Sequence, residues 1–570
     1  MRQIALKATL ILGCSLVLSP LASAAVSAPV APGPSDRTST LLSRSLSGGI
    51  PNGPSRRAVV SHDQRLARWI AYESDGSDIV AGDTNAHTDV FAIRRDPPYS
   101  THGTPWRAGA TVLVSAASDG GAANGPSWGA SLDGDSHHRP RCAAFVSAAS
   151  NLVPGDTNGQ PDAFVRDLSS GRTKRVSVDA RGRQANGPTT EVSIDGACER
   201  VAFIADAPSL ALRRTANPAW RSARTSVPRR GVPQAYVHVL GGGGKDAGFR
   251  GLTFAASASR FGKVANGSTR EVSFARAGKD VVFTSEATNL AAGDRGRGAD
   301  VYLRSFERRF AHLGHGKGAQ TLAFETRLVS STPGGRAGNG PSSHSTSTDD
   351  GRFVVFETLA SDVLASDANG VSDIARADMK RGRVAQRWVS RSAATGIGNG
   401  PSNRPVISDA GLFVLFDSEA SNLRQHDLAS LDENGKRDVF LWNAPTGNVS
   451  LESRDSDNAL LPAASQAPSA SSRGNYVPFE SAYPLIDRPL AQALFPQALA
   501  DPATLKTGIL PALAAPSLPA LSLPGVSNPR LGIPGVSARV ARAAKGPRAR
   551  AAAEPVGALQ QVYLRFLGPK

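Results

Sequence analysis

The chain has 570 residues, with 64 Lys and Arg against 48 Asp and Glu, a formal net charge of +16, and only 6% aromatic residues. A length of this size implies several domains unless the chain is repetitive. Beyond the first 24 residues no segment is long and apolar enough to span a bilayer, so no transmembrane span is expected after signal cleavage.

At the N-terminus, Arg2 and Lys7 precede the apolar run "ATLILGCSLVLSPLASA", which ends in Ala22-Ser23-Ala24. This is the pattern of a secretory signal at 1–24, cleaved before Ala25, and residues 25–37 read as a linker. A membrane span is the rival reading, but the run is short and contains Ser15, Ser19 and Pro20. The expectation is an exported protein, periplasmic or secreted. Removing the leader leaves Cys142 and Cys198, which in an exported chain form a disulfide or sit as two small buried apolar residues. No zinc-site spacing is present.

From Thr38 onward the chain repeats. "NGPS" occurs at Asn52, Asn124, Asn339 and Asn399, "NGPT" at Asn186 and "NGST" at Asn266, with a worn copy, "QAPS", from Gln466. Each marker opens a similar unit. In the second unit the order is "SWGASLDG", "RCAAFVSAASNL", "GDTNGQPDAFVRDL" and "TKRVSV". Short β-branched and aromatic runs separated by Asp, Asn and Gly turns predict four strands per unit. Asp-Gly pairs such as those in "SLDG" and "SIDG" suit a tight hairpin, since these residues accept positive φ cheaply. Four-stranded units arranged around an axis make a β-propeller.

The ends of the chain set the closure. Ser115, Ser177, Ser257, Ser330 and Ser390 each precede their marker by nine residues and end a fourth strand, and Ser43 does the same after "TSTLL". The chain therefore opens with a fourth strand that has no unit of its own, while the seventh unit stops one strand short after "QVYLRFLGPK". The fold expected is an all-β, seven-bladed β-propeller over 38–570, its last blade completed by the N-terminal strand so that no edge stays open.

The pattern S-x-D-G, V-A-F-x-S, D-V-F-V-R-D-L, R-V-S resembles the WD-repeat-like propeller repeats of the TolB family, over 38–485 and 560–570. The resemblance implies a periplasmic or secreted propeller that binds other macromolecules. TolB itself adds an N-terminal α/β domain and has six blades. Neither feature is found here, and a shared fold does not carry function.

The loops between second and third strands hold Asp83-Thr-Asn85 with Asp89, Asp156-Thr-Asn158 with Asp162, Asp367-Ala-Asn369 with Asp373, and Asp432-Glu-Asn434 with Asp438. Oxygen ligands at alternating positions around a bend suit calcium. Each loop offers only two carboxylates, so an Asx turn in which the last Asp anchors the third strand is the simpler reading. "GPSWG" around Ser127 matches the nucleophile elbow G-x-S-x-G, but it occupies the marker slot and lacks the strand-to-helix context that the elbow requires.

Two insertions replace second-to-third-strand loops. Residues 208–233 carry Arg213, Arg214, Arg221, Arg224, Arg229 and Arg230 without an acid, giving +6. Residues 486–558, rich in Ala, Pro and Leu, carry +5 and are expected to be disordered. The basic stretches either attract anionic partners or are solvated loops. The partners expected are an envelope protein, anionic lipid or polysaccharide, bound by a monomer without nucleic acid. These features favour a non-enzymatic binding platform. The alternative is a lyase or hydrolase acting on polysaccharide at the mouth of the central channel. That reading needs a His cluster or paired carboxylates at the axis, and none of the ten His recurs at an equivalent repeat position.

Overall fold

A computed structural model describes residues 37–567, apart from 484–559 and stretches at 64–65, 98, 100–103, 213, 242–246, 295–297, 313–317, 381–383, 393–395, 424–431 and 433. The leader at 1–24, the insertion at 486–558 and Arg213 lie outside the described residues.

Seven four-stranded antiparallel sheets make a seven-bladed β-propeller. In the first six blades the strands follow chain order from the inner to the outer edge, as in Ser55–Val60, Trp69–Ser74, Asp89–Arg95 and Ala108–Leu113 of blade one. The seventh blade takes three strands from the C-terminal part, Ser465–Gln466, Tyr476–Ser481 and Gln561–Phe566, and its outer strand, Thr38–Leu41, from the N-terminal part. Thr38 pairs with Phe566 and Leu41 with Tyr563, so the ring is closed by hydrogen bonding between the two ends of the fold. One expectation shifts: the seventh marker slot is 462–465, not the copy at Gln466, because Ser465 begins the inner strand.

The middle strands of each blade are packed on both faces by neighbouring blades, which is why they read as continuous apolar runs. Cys142–Ser147, Gln234–Val239 and Tyr476–Ser481 are buried along their whole lengths. In six blades one aromatic pair faces directly across the second and third strands, for example Tyr72 opposite Phe91 and Phe145 opposite Phe164, with ring centroids 5.8 and 5.7 Å apart. Such pairs add to plain area burial. Blade five substitutes Phe356 opposite Ala375. The core lies between blades: Leu564 and Phe566 of the last blade join Ile70, Tyr72 and Phe91 of the first.

This topology gives the molecule two faces. Inner strands start at the marker face, where the loops between second and third strands also emerge, and so does the insertion at 208–233, between Arg200–Ala205 and Gln234–Val239. They end in hairpins at the opposite face. Blade four carries an overlong hairpin on that opposite side, Asp300–His312 paired with Gly318–Leu328.

Candidate active site at the hairpin end of the channel

The seventh residue past the start of each inner strand occupies one repeated position in the hairpin: His62, Gly134, Gly196, Arg276, Asp349, Asp409 and Ser472. Backbone hydrogen bonds run from hairpin to hairpin, Gly134 N to Gly196 O at 2.9 Å, Gly196 N to Arg276 O at 2.9 Å and Asp409 N to Ser472 O at 3.2 Å. Seven residues of five types are thereby drawn together at the axis. Gly134 and Gly196 are dictated by space: a Cβ on Gly196 would lie 2.6 Å from the Asp135 Cβ, and Gly134 has φ +108°. Charge is thus left to one side of the ring.

On that side His62 is buried and its Nδ1 is hydrogen-bonded to the Asp409 carboxylate. One ring nitrogen of His62 and one oxygen each of Asp349 and Asp409 lie within 4.8 Å of one another. Burial pushes the His62 pKa below its ordinary value, helped by the charge of Arg276 and opposed by Asp409. Burial, then the neighbouring Asp409, pushes the Asp349 carboxyl up to about 8, against the pull of Arg276. Burial thus favours the neutral imidazole of His62 and the protonated carboxyl of Asp349, the pairing of base and acid that proton-transfer chemistry uses. Arg276 is anchored by donating from Nη1 to Leu132 O at 3.0 Å. It also lines a cleft of about 460 Å³ that opens beside the ring, walled by Asp135, His138, Arg200 and, from the long hairpin of blade four, Phe306 and Leu322.

A second charged ring lies deeper along the channel. Every inner strand but one bulges at a residue with positive φ: Arg57, Gly129, Glu271, His344, Arg404 and Ala467. The bulged amide donates to a carboxylate of the preceding blade, Arg57 N to Glu480 at 2.6 Å, Gly129 N to Glu73 at 2.7 Å and His344 N to Glu271 at 2.6 Å. Arg404 N and Ala467 N do the same with Glu357 and Asp417 at 3.3 and 3.1 Å. These carboxylates join blades to one another and are committed to backbone.

The Asp loops stand on the other face and form one recurring turn. Asn85, Asn158 and Asn369 donate from Nδ2 to Asp89, Asp162 and Asp373 at 2.6, 3.0 and 2.8 Å, and their Oδ1 accepts the amide two residues on. Asn434 accepts from Lys436 N at 2.7 Å in the same way. Asp89, Asp162, Asp373 and Asp438 each take the hydroxyl of the serine that ends the outer strand, Ser115, Ser177, Ser390 and Ser453. Within those loops Asp83, Asp156, Asp367 and Asp432 precede the turn, and burial raises the pKa of each.

Cys142 and Cys198 are joined in a disulfide between blades two and three. Arg214, Arg221, Arg224, Arg229 and Arg230 are exposed and belong to the marker face, not to the cluster. Ser127 is buried and bonded to Ser147 at 2.9 Å, with no histidine in its hydrogen bonding among the described residues.

No family model matches the chain, and no curated protein is similar to it. Among solved structures it is similar to an oligogalacturonate lyase in complex with manganese, at 10% identity and a TM-score of 0.38, over 78% of this chain and 93% of that one. It is also similar to a Mycobacterium tuberculosis puromycin-hydrolyzing peptidase, at 10% identity and 0.37, over 75% and 50%, and to the Pyrococcus horikoshii acylaminoacyl peptidase, at 11% and 0.35, over 74% and 49%. The chain spans about half the length of those peptidases. At these levels the likeness is one of fold.

The expectation of a non-enzymatic platform is corrected on the geometry: the structure brings a histidine and paired carboxylates together at the axis, the arrangement that the enzyme reading required. Sequence reasoning missed the cluster because it looked for one residue type recurring. A propeller instead brings equivalent positions together whatever residues fill them. Aligning the first six markers and reading ten residues on gives His62, Gly134, Gly196, Arg276, Asp349 and Asp409 directly.

Proposed function

We propose that this chain is a propeller enzyme that cleaves polysaccharide at the hairpin end of its central channel, by acid–base chemistry. The observation that supports the reading is the convergence of His62, Asp349, Asp409 and Arg276 from four blades, with a neutral base and a protonated acid side by side. Asp409 holds the His62 ring by Nδ1, leaving Nε2 to take a proton from substrate. Asp349 donates a proton to the leaving oxygen. Arg276 offers its charge to an anionic group of the sugar, and the polar, charged walls of the adjoining cleft suit a hydrated polymer better than an apolar ligand.

The spacing argues against inverting hydrolysis, and an imidazole base set beside a guanidinium suits elimination from an anionic sugar. The carboxyl oxygens of Asp349 and Asp409 come within 4.8 Å, closer than the ~6.5–9.5 Å that an inverting hydrolase leaves for its water. The substrate class is thus a polyuronate, whose carboxylate both acidifies the proton to be removed and answers Arg276. Calcium belongs with the all-oxygen Asp loops on the other face. The reading is compatible with the TolB-type resemblance and with export, for which the N-terminal basic and apolar segment is the support. Among the described residues no helix is long and apolar enough to cross a membrane.

The test is product analysis. The full chain is incubated with polyuronates and with neutral glucans, with and without EDTA, beside His62→Ala. Shortened chains with a new ultraviolet-absorbing double bond, formed by wild type and absent with His62→Ala, are expected from the polyuronates only. Equal products from both proteins would end the proposal.

A further inference from the structure

On the marker face the four Asp loops share one backbone design but differ in what lies between their two carboxylates. In blade two the space is filled from within: the Arg175 guanidinium lies 3.1 Å from Asp156 and 3.5 Å from Asp162. Arg175 reaches that place because it stands opposite Phe164 across the third and outer strands. The register-equivalent residue in blade one is Leu113, opposite Phe91, and in blade six it is Leu451, opposite Phe440. Neither leucine brings a charge.

The carboxylates are nonetheless kept. Asp83 is 6% exposed, and neither of its carboxylate oxygens has a well-formed hydrogen bond, the Asn85 amide alone acting on them. Asp89, beside it, is fully buried, and its charge and that of Asp83 act on one another. In blade six both oxygens of the half-buried Asp432 and one of Asp438 are out of contact with solvent, and Asp432 is met only by the Asn434 and Gly435 amides and by Asp438, none of which is a cation. A buried carboxyl stays ionised only when something compensates its charge and otherwise takes up a proton, and an orphaned one is costly. Blade two shows that the compensation this turn accepts is a cation.

We infer that blades one and six bind a divalent cation between Asp83 and Asp89 and between Asp432 and Asp438, in the place that Arg175 fills in blade two. The donors are all hard oxygens on a bend, and this favours Ca²⁺ over the smaller, more exacting Mg²⁺. These sites lie at the opposite end of the fold from the His62 cluster and need no substrate. Their role is to fix the turns that carry the third strands into blades one and six.

The experiment is a thermal melt of the full chain, stripped with EDTA and then titrated with Ca²⁺ alone, with Mg²⁺ as control. Wild type is expected to gain several degrees in millimolar Ca²⁺ and much less in Mg²⁺. Asp83→Asn should lose part of the gain, and Asp83→Asn with Asp432→Asn nearly all of it. Leu113→Arg, which supplies blade one with the guanidinium of blade two, should melt higher than wild type in EDTA and respond less to Ca²⁺. A wild type indifferent to Ca²⁺ would overturn the inference. So would a full Ca²⁺ response in the double variant, which would place the ion elsewhere, the His62 cluster included.

Discussion

His62 and Asp349 are shifted in opposite directions by the same burial, which disfavours whichever form is charged. For Asp349 the consequence reaches stability. Its folded pKa, about 8, lies above the ordinary carboxylate value, so between the two the folded state holds a proton that the unfolded state has lost. Stability from this group is therefore fully present below the ordinary carboxylate value and is lost progressively as pH rises from there through about 8. Asp349→Asn cannot ionise. It should melt like wild type near pH 4 and a few degrees higher than wild type above pH 8, while losing activity at both. Differential scanning calorimetry at the two pH values checks this. Gly196 argues from shape instead. Gly196→Ala should destabilise the ring by about 1–3 kcal/mol, because the new Cβ meets Asp135 at 2.6 Å.

Among elements, the bulged inner strand carries most of the design. An ordinary strand would point its amides along its own sheet, whereas the bulge turns one of them into the carboxylate of the preceding blade. Glu480 takes the Arg57 amide and so joins the last blade to the first. Replacing Glu480 by Ala should cost about 1–3 kcal/mol, seen as a lower urea midpoint, and Glu480→Gln should recover part of it because an amide oxygen still accepts. The four-strand period, the serine that ends each fourth strand and the Asp-x-Asn turns were legible in sequence, since each follows from local backbone chemistry. The bulges and the second charged ring were not. They depend on which residue of the neighbouring blade stands alongside, and a chain read one unit at a time does not contain that.

In the whole molecule, closure decides whether seven blades make one body. The N-terminal strand Thr38–Leu41 covers the edge of Gln561–Phe566, and a chain lacking residues 1–43 would expose that edge and the buried apolar surface around it. Such a truncation is expected to aggregate or to melt well below the full chain, as size-exclusion chromatography would show. The disulfide between Cys142 and Cys198 ties blades two and three, and reduction should cost about 2–4 kcal/mol. Closure was legible from the two chain ends, because an unpaired strand at one end and a missing strand at the other demand each other. The His62 cluster was hidden for the complementary reason: His62, Asp349 and Asp409 meet only once the ring is closed.

The claim that this meeting is catalytic is tested most directly by the pH dependence of kcat/KM on a polyuronate, for wild type and Asp349→Asn. The account predicts a bell, with an acid limb below the ordinary histidine value where His62 gains a proton and an alkaline limb near 8 where Asp349 loses one. It also predicts a fall of about 10²–10⁴-fold in the variant. A profile that runs flat through pH 8, or an Asp349→Asn protein as active as wild type, would contradict it.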